Sequence, residues 1–161
     1  MKRVTFQGEL GAYSELALYE YFGTDVDAVP RPSFGEIFST VAEGEADHGV
    51  IPIENSLAGS IHENYDLLLE HDLVITGEVK LRIVHNLLAL QGAELEGIKR
   101  VYSHPQALSQ CKDFLQGLGS PELISVYDTA GAARRIKDDG SLEEAAIASE
   151  QAARDYGLSV V

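Results

Sequence analysis

Only one cysteine, Cys111, occurs in the sequence. No disulfide can form within the chain, which fits a reducing cytosol. Basic side chains are also scarce. Twelve Lys and Arg stand against 26 Asp and Glu, a formal net charge of −14. That balance argues against a nucleic-acid partner, because phosphate contacts need clustered Lys and Arg. It reads instead as a solvated acidic surface. No apolar run approaches the roughly 20 residues of a membrane span. The run after Met1-Lys2-Arg3, Val4-Thr5-Phe6, ends at Gln7-Gly8 and is too short for a signal-peptide core. The expectation is a soluble, cytoplasmic chain with no membrane partner. Catalytic signatures are missing too. The five histidines, His48, His62, His71, His85 and His104, have no metal-ligand spacing, and no Gly-x-Ser-x-Gly elbow occurs. Cys111 falls inside a predicted helix and reads as core. A zinc or nucleophile mechanism is therefore not expected. Fixed-period repeats and low-complexity segments are absent as well.

What is present is a globular composition. The 161 residues are 45% hydrophobic, enough for one ordinary domain or two small lobes sharing a core. The charge is uneven. Residues 1–77 hold 3 basic side chains against 14 acidic ones, and residues 78–161 hold 9 against 12. Cationic partners for an anionic ligand should thus come mostly from the second half. Backbone N–H groups at helix starts are the alternative.

Strands and helices alternate along the chain. "RVTF" predicts a strand, followed by a helix through "ELALYEYFG". "DAVPRP" is a short extended piece. "SFGEIFSTVAEGE" predicts a helix with a Ser33–Glu36 capping box and an apolar face of Ile37, Phe38, Val41 and Ala42. "HGVIPI" reads as a strand buried on both faces. Ser60 and Glu63 suggest a second capping box, opening a helix from Ile61 to Glu70 that buries Ile61, Tyr65, Leu68 and Leu69. "DLVITGEVKLRIVHNLLAL" is extended in composition and alternates from Val79 to Ile83, so it reads as a strand crossing between lobes, 1–77 and 78–161. The alternation then resumes. "RVYSH" leads into the helix "PQALSQCKDFLQ", ended by Gly117 or Gly119. "LISVYD" leads into "TAGAARRIKDD", capped by Asp128 or Thr129. "EEAAIAS" leads into "EQAARDYG", with Ser149 as cap and Gly157 as stop. "LSVV" begins a last strand. Such alternation predicts an α/β fold with mostly parallel sheets and right-handed crossovers.

Four clusters could carry chemistry, each where a strand gives way to a helix. Gly8-x-x-Gly11-x-x-Ser14 could bring backbone N–H groups to a carboxylate, with Ser14 capping the following helix. It fits neither a dinucleotide fingerprint nor a Walker loop, and a plain turn is the alternative. Glu54-Asn55-Ser56 follows an apolar strand. Asn55 and Ser56 could donate hydrogen bonds. Glu54 could orient a hydroxyl or, if desolvated, act as an acid; a solvated loop carboxylate is the alternative. Ser103-His104-Pro105-Gln106 with Gln110 would place two amides on one helix face near its positive end. Asp128-Thr129 is a fourth helix start.

These residues also carry a family likeness. "GELGAYSELA", "GVIPIENSLAGSIHENYDLL", "VYSHPQALSQC", "YDTAGAA" and "AAIASEQAARDYGL", in this order and spacing, together resemble prephenate dehydratase over nearly the whole chain. The resemblance implies a two-lobed, periplasmic-binding-protein-like (type II) fold with an active-site cleft between lobes. It implies conversion of prephenate, a small dicarboxylate, to phenylpyruvate with no metal or cofactor, and a homodimer. It further implies catalytic roles for Glu54, Asn55, Ser103 and Gln110, and the clusters themselves suggest Gly11, Ser14, Ser56, Gln106 and Thr129 for substrate binding. Arogenate dehydratase and a non-catalytic binding module for a small carboxylate are the alternatives. The family's domain continues to a Thr-Arg-Phe motif, a strand returning to the first lobe and often an ACT domain. No Thr-Arg-Phe occurs here, so the 161-residue chain alone is expected to be weakly active or inactive on prephenate.

Overall fold

The structure, a computed structural model, describes Met1–Val161. The chain forms two compact units. One comprises Met1–Glu9 and Tyr13–Arg82, the other Leu10–Ala12 and Ile83–Val161.

In the first unit the elements are β1 (Lys2–Gln7), α1 (Tyr13–Phe22), β2 (Val26–Arg31), α2 (Phe34–Ala42), β3 (His48–Val50), β4 (Glu54–Asn55), β5 (Gly59–Ser60) and α3 (His62–Glu70). Three strands form a parallel sheet in the order β2-β1-β3. Val4, Thr5 and Phe6 of the central strand are fully buried. β2 carries Pro30, which cannot donate to a ladder and is tolerated because β2 lies at the sheet edge. Ser33 caps α2 as its spacing predicts, its Oγ accepting from Glu36 N at 3.3 Å and donating to Glu36 Oε1 at 3.1 Å. Ile37 and Phe38 are buried.

Four expectations fail in and just beyond this unit. The strand expected over "HGVIPI" stops at Val50, and as a sheet-edge strand it leaves Gly49 exposed rather than buried on both faces. Ser60 does not cap α3. It is paired with Glu54 in the β4–β5 hairpin, and Ile61 takes the cap position with no side-chain bond. The buried line of α3 runs through Asn64 at 0% exposure, with Ile61 and Leu68 half-buried, while Tyr65 and Leu69 are exposed. Residues 73–85 form no strand, although their composition is extended, because no backbone ladder pairs with them.

The second unit contains β6 (Asn86–Ala89), β7 (Arg100–Ser103), α4 (Pro105–Gln110), α5 (Lys112–Gly117), β8 (Glu122–Ser125), α6 (Thr129–Asp139), β9 (Glu144–Ala148), α7 (Glu150–Tyr156) and β10 (Ser159–Val160). Its sheet runs in the order β10-β6-β9-β7-β8. β7 is parallel to β8 and β9, whereas β6 is antiparallel to β9 and β10. All five residues of β9 are buried. Its alanines are weak strand formers, but they let helices approach both faces closely. On one face Leu88, Tyr102, Ala146 and Ala148 pack with α6 and α7. Leu87, Val101, Ala145 and Ile147 pack on the other with α4 and α5. Neighbouring residues of each strand thus go to opposite faces. Asp128 and Ser149 cap α6 and α7 through Gly131 N (2.6 Å) and Ala152 N (3.0 Å), and Gly140 and Gly157 end these helices in the left-handed conformation.

The helix expected across "PQALSQCKDFLQ" breaks in two at Cys111, which ends α4 and precedes α5. Cys111 is therefore half-buried at a junction and not deep in a helix. Burial still pushes its thiol pKa up.

Candidate active site

In the first unit the candidate residues are Ser14, Glu54, Asn55 and Ser56. Asn55 organises the corner. Its Oδ1 accepts from Leu57 N at 2.9 Å and Ala58 N at 3.2 Å, which is an Asx turn. Glu54 and Ser56 beside it are exposed. The desolvation on which use of Glu54 as an acid depended is absent. The corner is tied down from behind: Ile61 N donates to Ile53 O at 2.9 Å, and Asn64 Nδ2 donates to Pro52 O at 2.7 Å. Asn64 is a residue that sequence reasoning missed. Its signal was an amide on the same face as Ile61 and Leu68, where an apolar residue would be expected. Ser14 lies inside the first turn of α1, which begins at Tyr13, so it does not occupy the cap position expected of it.

In the second unit the candidate residues are Gly11, Ser103, Gln106, Gln110 and Thr129. Gly11 has a φ of +87°, and a Cβ built on it would lie 2.8 Å from Ala152 Cα. Its carbonyl accepts from Ser149 Oγ at 2.6 Å. Close packing against the start of α7 therefore accounts for this glycine. Ser103 is fully buried, and its Oγ donates to Ile147 O at 2.6 Å, tying β7 to β9. Its hydroxyl proton is engaged in that bond. Gln106 is half-buried, and its backbone N–H donates to His104 Nδ1 at 3.2 Å, so His104 caps α4 with its own ring. Gln110 is the last residue of the six-residue α4 and sits at the negative end of that helix, contrary to expectation. Its Oε1 lies 2.7 Å from His85 Nε2. Thr129 is the first residue of α6, half-buried beside its cap Asp128.

The cations of the second unit are largely engaged. Lys99 pairs with Glu143, Arg100 with Glu144, Arg135 with Asp139 and Arg154 with Glu150. No group of three His, Cys, Asp or Glu side chains converges. No helix is long and apolar enough to cross a membrane.

Comparison with known proteins gives three findings. The profile of the prephenate dehydratase family matches residues 4–161. An Arabidopsis thaliana protein, arogenate dehydratase/prephenate dehydratase 2, is 50% identical over 159 residues, which is 99% of this chain and 41% of the relative. Among solved structures, prephenate dehydratase from Arthrobacter aurescens in complex with L-Phe superposes with a TM-score of 0.89 at 31% identity, over 98% of this chain and 54% of its own. A protein described as a quorum-quenching acylase, GqqA, has the same TM-score at 34% identity, over 99% of this chain and 57% of its own. The chain thus spans about two-fifths of the length of the curated relative.

Proposed function

The chain belongs to the prephenate dehydratase family, and from that premise we propose that it serves the decarboxylating dehydration of prephenate to phenylpyruvate in aromatic amino-acid biosynthesis. The observation that carries the reading is the family match across residues 4–161. The reaction needs little covalent chemistry from the protein. Loss of carbon dioxide and of the ring hydroxyl makes the ring aromatic. One proton is taken up so that the hydroxyl leaves as water. The protein must hold a dianion in the reactive geometry and orient the C–O bond that breaks. In this reading Asn55 Nδ2 and Ser56 donate to substrate oxygens, and Glu54 accepts from the departing hydroxyl and orients it. Gln106, Gln110 and Thr129 act as neutral donors to carboxylate, while Gly11 and Ser14 shape and follow the first turn. Ser103 serves as a positioning residue.

Arogenate is the second substrate to weigh, because the Arabidopsis relative bears both names. The acylase description of GqqA is not carried over. An acylase needs a nucleophile beside a base, yet Ser103 is buried on Ile147 and burial disfavours the Cys111 thiolate. The test supplies the protein with prephenate and arogenate separately and follows phenylpyruvate and phenylalanine. Phenylpyruvate from prephenate is expected, slowly from these 161 residues alone and faster from a version supplied with a Thr-Arg-Phe tail. Consumption of neither substrate by the version with that tail would overturn the reading, and a preference for arogenate would move it to the second.

The single cysteine supports a cytoplasmic location, to be checked by fractionation of the source cells. Assembly as a homodimer rests on the family resemblance, and light scattering at two protein concentrations measures it.

A further inference from the structure

We propose that His85 is a positioning residue that fixes which end of the Gln110 amide faces substrate; this rests on the reading of Gln110 as a donor to the substrate. Sequence inspection gives no local signal for the pair, because the two residues are 25 apart. The structure brings His85 Nε2 to 2.7 Å from Gln110 Oε1. A glutamine side chain ends in one acceptor and one double donor. If Oε1 meets the ring, the ring nitrogen must be the donor, so His85 carries its proton on Nε2. The Gln110 NH2 group is then held on the side away from the ring, free to donate to an anion. With the opposite tautomer the amide would turn round and offer its oxygen, which repels a carboxylate.

Both partners sit on fixed backbone. His85 immediately precedes β6, and Asn86 Nδ2 reaches both Val84 O (3.3 Å) and Ala148 O (3.4 Å), pinning the strand entry to β9. Gln110 closes α4. The N–H of Cys111, the next residue, bonds back to Ala107 O and Ser109 O, and the start of the helix is held by His104. A rotatable amide between two anchored elements needs only one hydrogen bond to choose its orientation. Removing the ring does not remove the amide but frees it to rotate.

The experiment has two parts. In the first, nitrogen NMR of the ring in the intact protein reads the tautomer without any need for activity. An Nε2–H tautomer is expected, and an Nδ1–H tautomer overturns the proposal. The second part compares prephenate turnover in His85→Phe, His85→Gln, Gln110→Ala and the double variant His85→Phe/Gln110→Ala. Glutamine places an N–H at about the reach of imidazole Nε2. Loss of the orienting hydrogen bond predicts about a tenfold fall in kcat/KM for His85→Phe, expressed mainly in KM. Recovery to within about threefold is expected for His85→Gln, with the double variant no worse than Gln110→Ala. Wild-type kcat/KM in His85→Phe alongside an impaired Gln110→Ala overturns the positioning role. Additive losses overturn it as well. Full activity in Gln110→Ala instead refutes the substrate-binding reading of Gln110, and the NMR tautomer still decides the pairing.

Discussion

Asn55 uses its carbonyl to fold the corner, accepting from Leu57 N and Ala58 N, and Glu54 stands exposed beside it. In the proposed reading Glu54 acts by accepting a hydrogen bond from the substrate. Glu54→Gln keeps the size and exchanges a full charge for an amide. Turnover of prephenate should fall by about tenfold or more with an unchanged melting temperature. A wild-type rate would return Glu54 to a solvated loop carboxylate. A second residue-scale expectation concerns Tyr102. Burial and a 3.1 Å hydrogen bond to Glu144 raise its phenol pKa above the ordinary value of about 10. A raised folded-state value means the native form holds its proton longer than the unfolded chain. The associated stability is complete below about pH 10 and is lost as pH climbs through the folded value. Denaturant melts across that range should show wild-type stability declining more steeply than that of Tyr102→Phe; parallel declines would contradict the assignment.

Among the elements, the turn between β1 and α1 depends on close approach. Gly11 combines a left-handed φ with a backbone neighbour that leaves no room for a methyl group. Gly11→Ala should cost about 2–4 kcal/mol in urea unfolding, from backbone strain and overpacking together. A loss under about 0.5 kcal/mol would mean that α7 yields easily. The same scale shows how much of the fold could be read in advance. The caps at Ser33, Asp128 and Ser149 were legible because each acts within three residues of its own position. The β4–β5 hairpin was not, since it pairs Glu54 with Ser60 while Ser60 carries a convincing local cap signal. The break at Cys111 was not legible either, for no proline or glycine marks it. Of the candidate site, the polar corner at Glu54–Ser56 was visible as a polar cluster. The fate of the Ser103 hydroxyl depends on Ile147, 44 residues away, and no local rule reveals such a partner.

For the molecule as a whole, charge is the dominant unbalanced quantity. Fourteen net negative charges repel one another in the folded state more than in the expanded one. The ion pairs present are mostly exposed, with Arg100–Glu144 and Arg31–Glu45 half-sheltered on one side, and exposed pairs contribute little. Screening repulsion should therefore outweigh screening attraction. Raising sodium chloride from about 0.05 to 0.5 M, which shortens the Debye length from roughly 14 to 4 Å, should raise the melting temperature by a few degrees. A fall would show that the pairs matter more than the surplus.

Leu10–Ala12 belong with the second unit although both flanking segments belong to the first. The consequence concerns how this protein can be cut and recombined. A gene fragment beginning at Ile83 would encode a sheet and its helices without the tripeptide they grip. Ser149 would lose its acceptor on Gly11, Tyr156 would lose the Leu10 carbonyl, and Ala152 would be uncovered. Neither unit is an interchangeable cassette, and chimaeras joined at a single point near Arg82 have to take both sides of the Gly11 grip from the same parent.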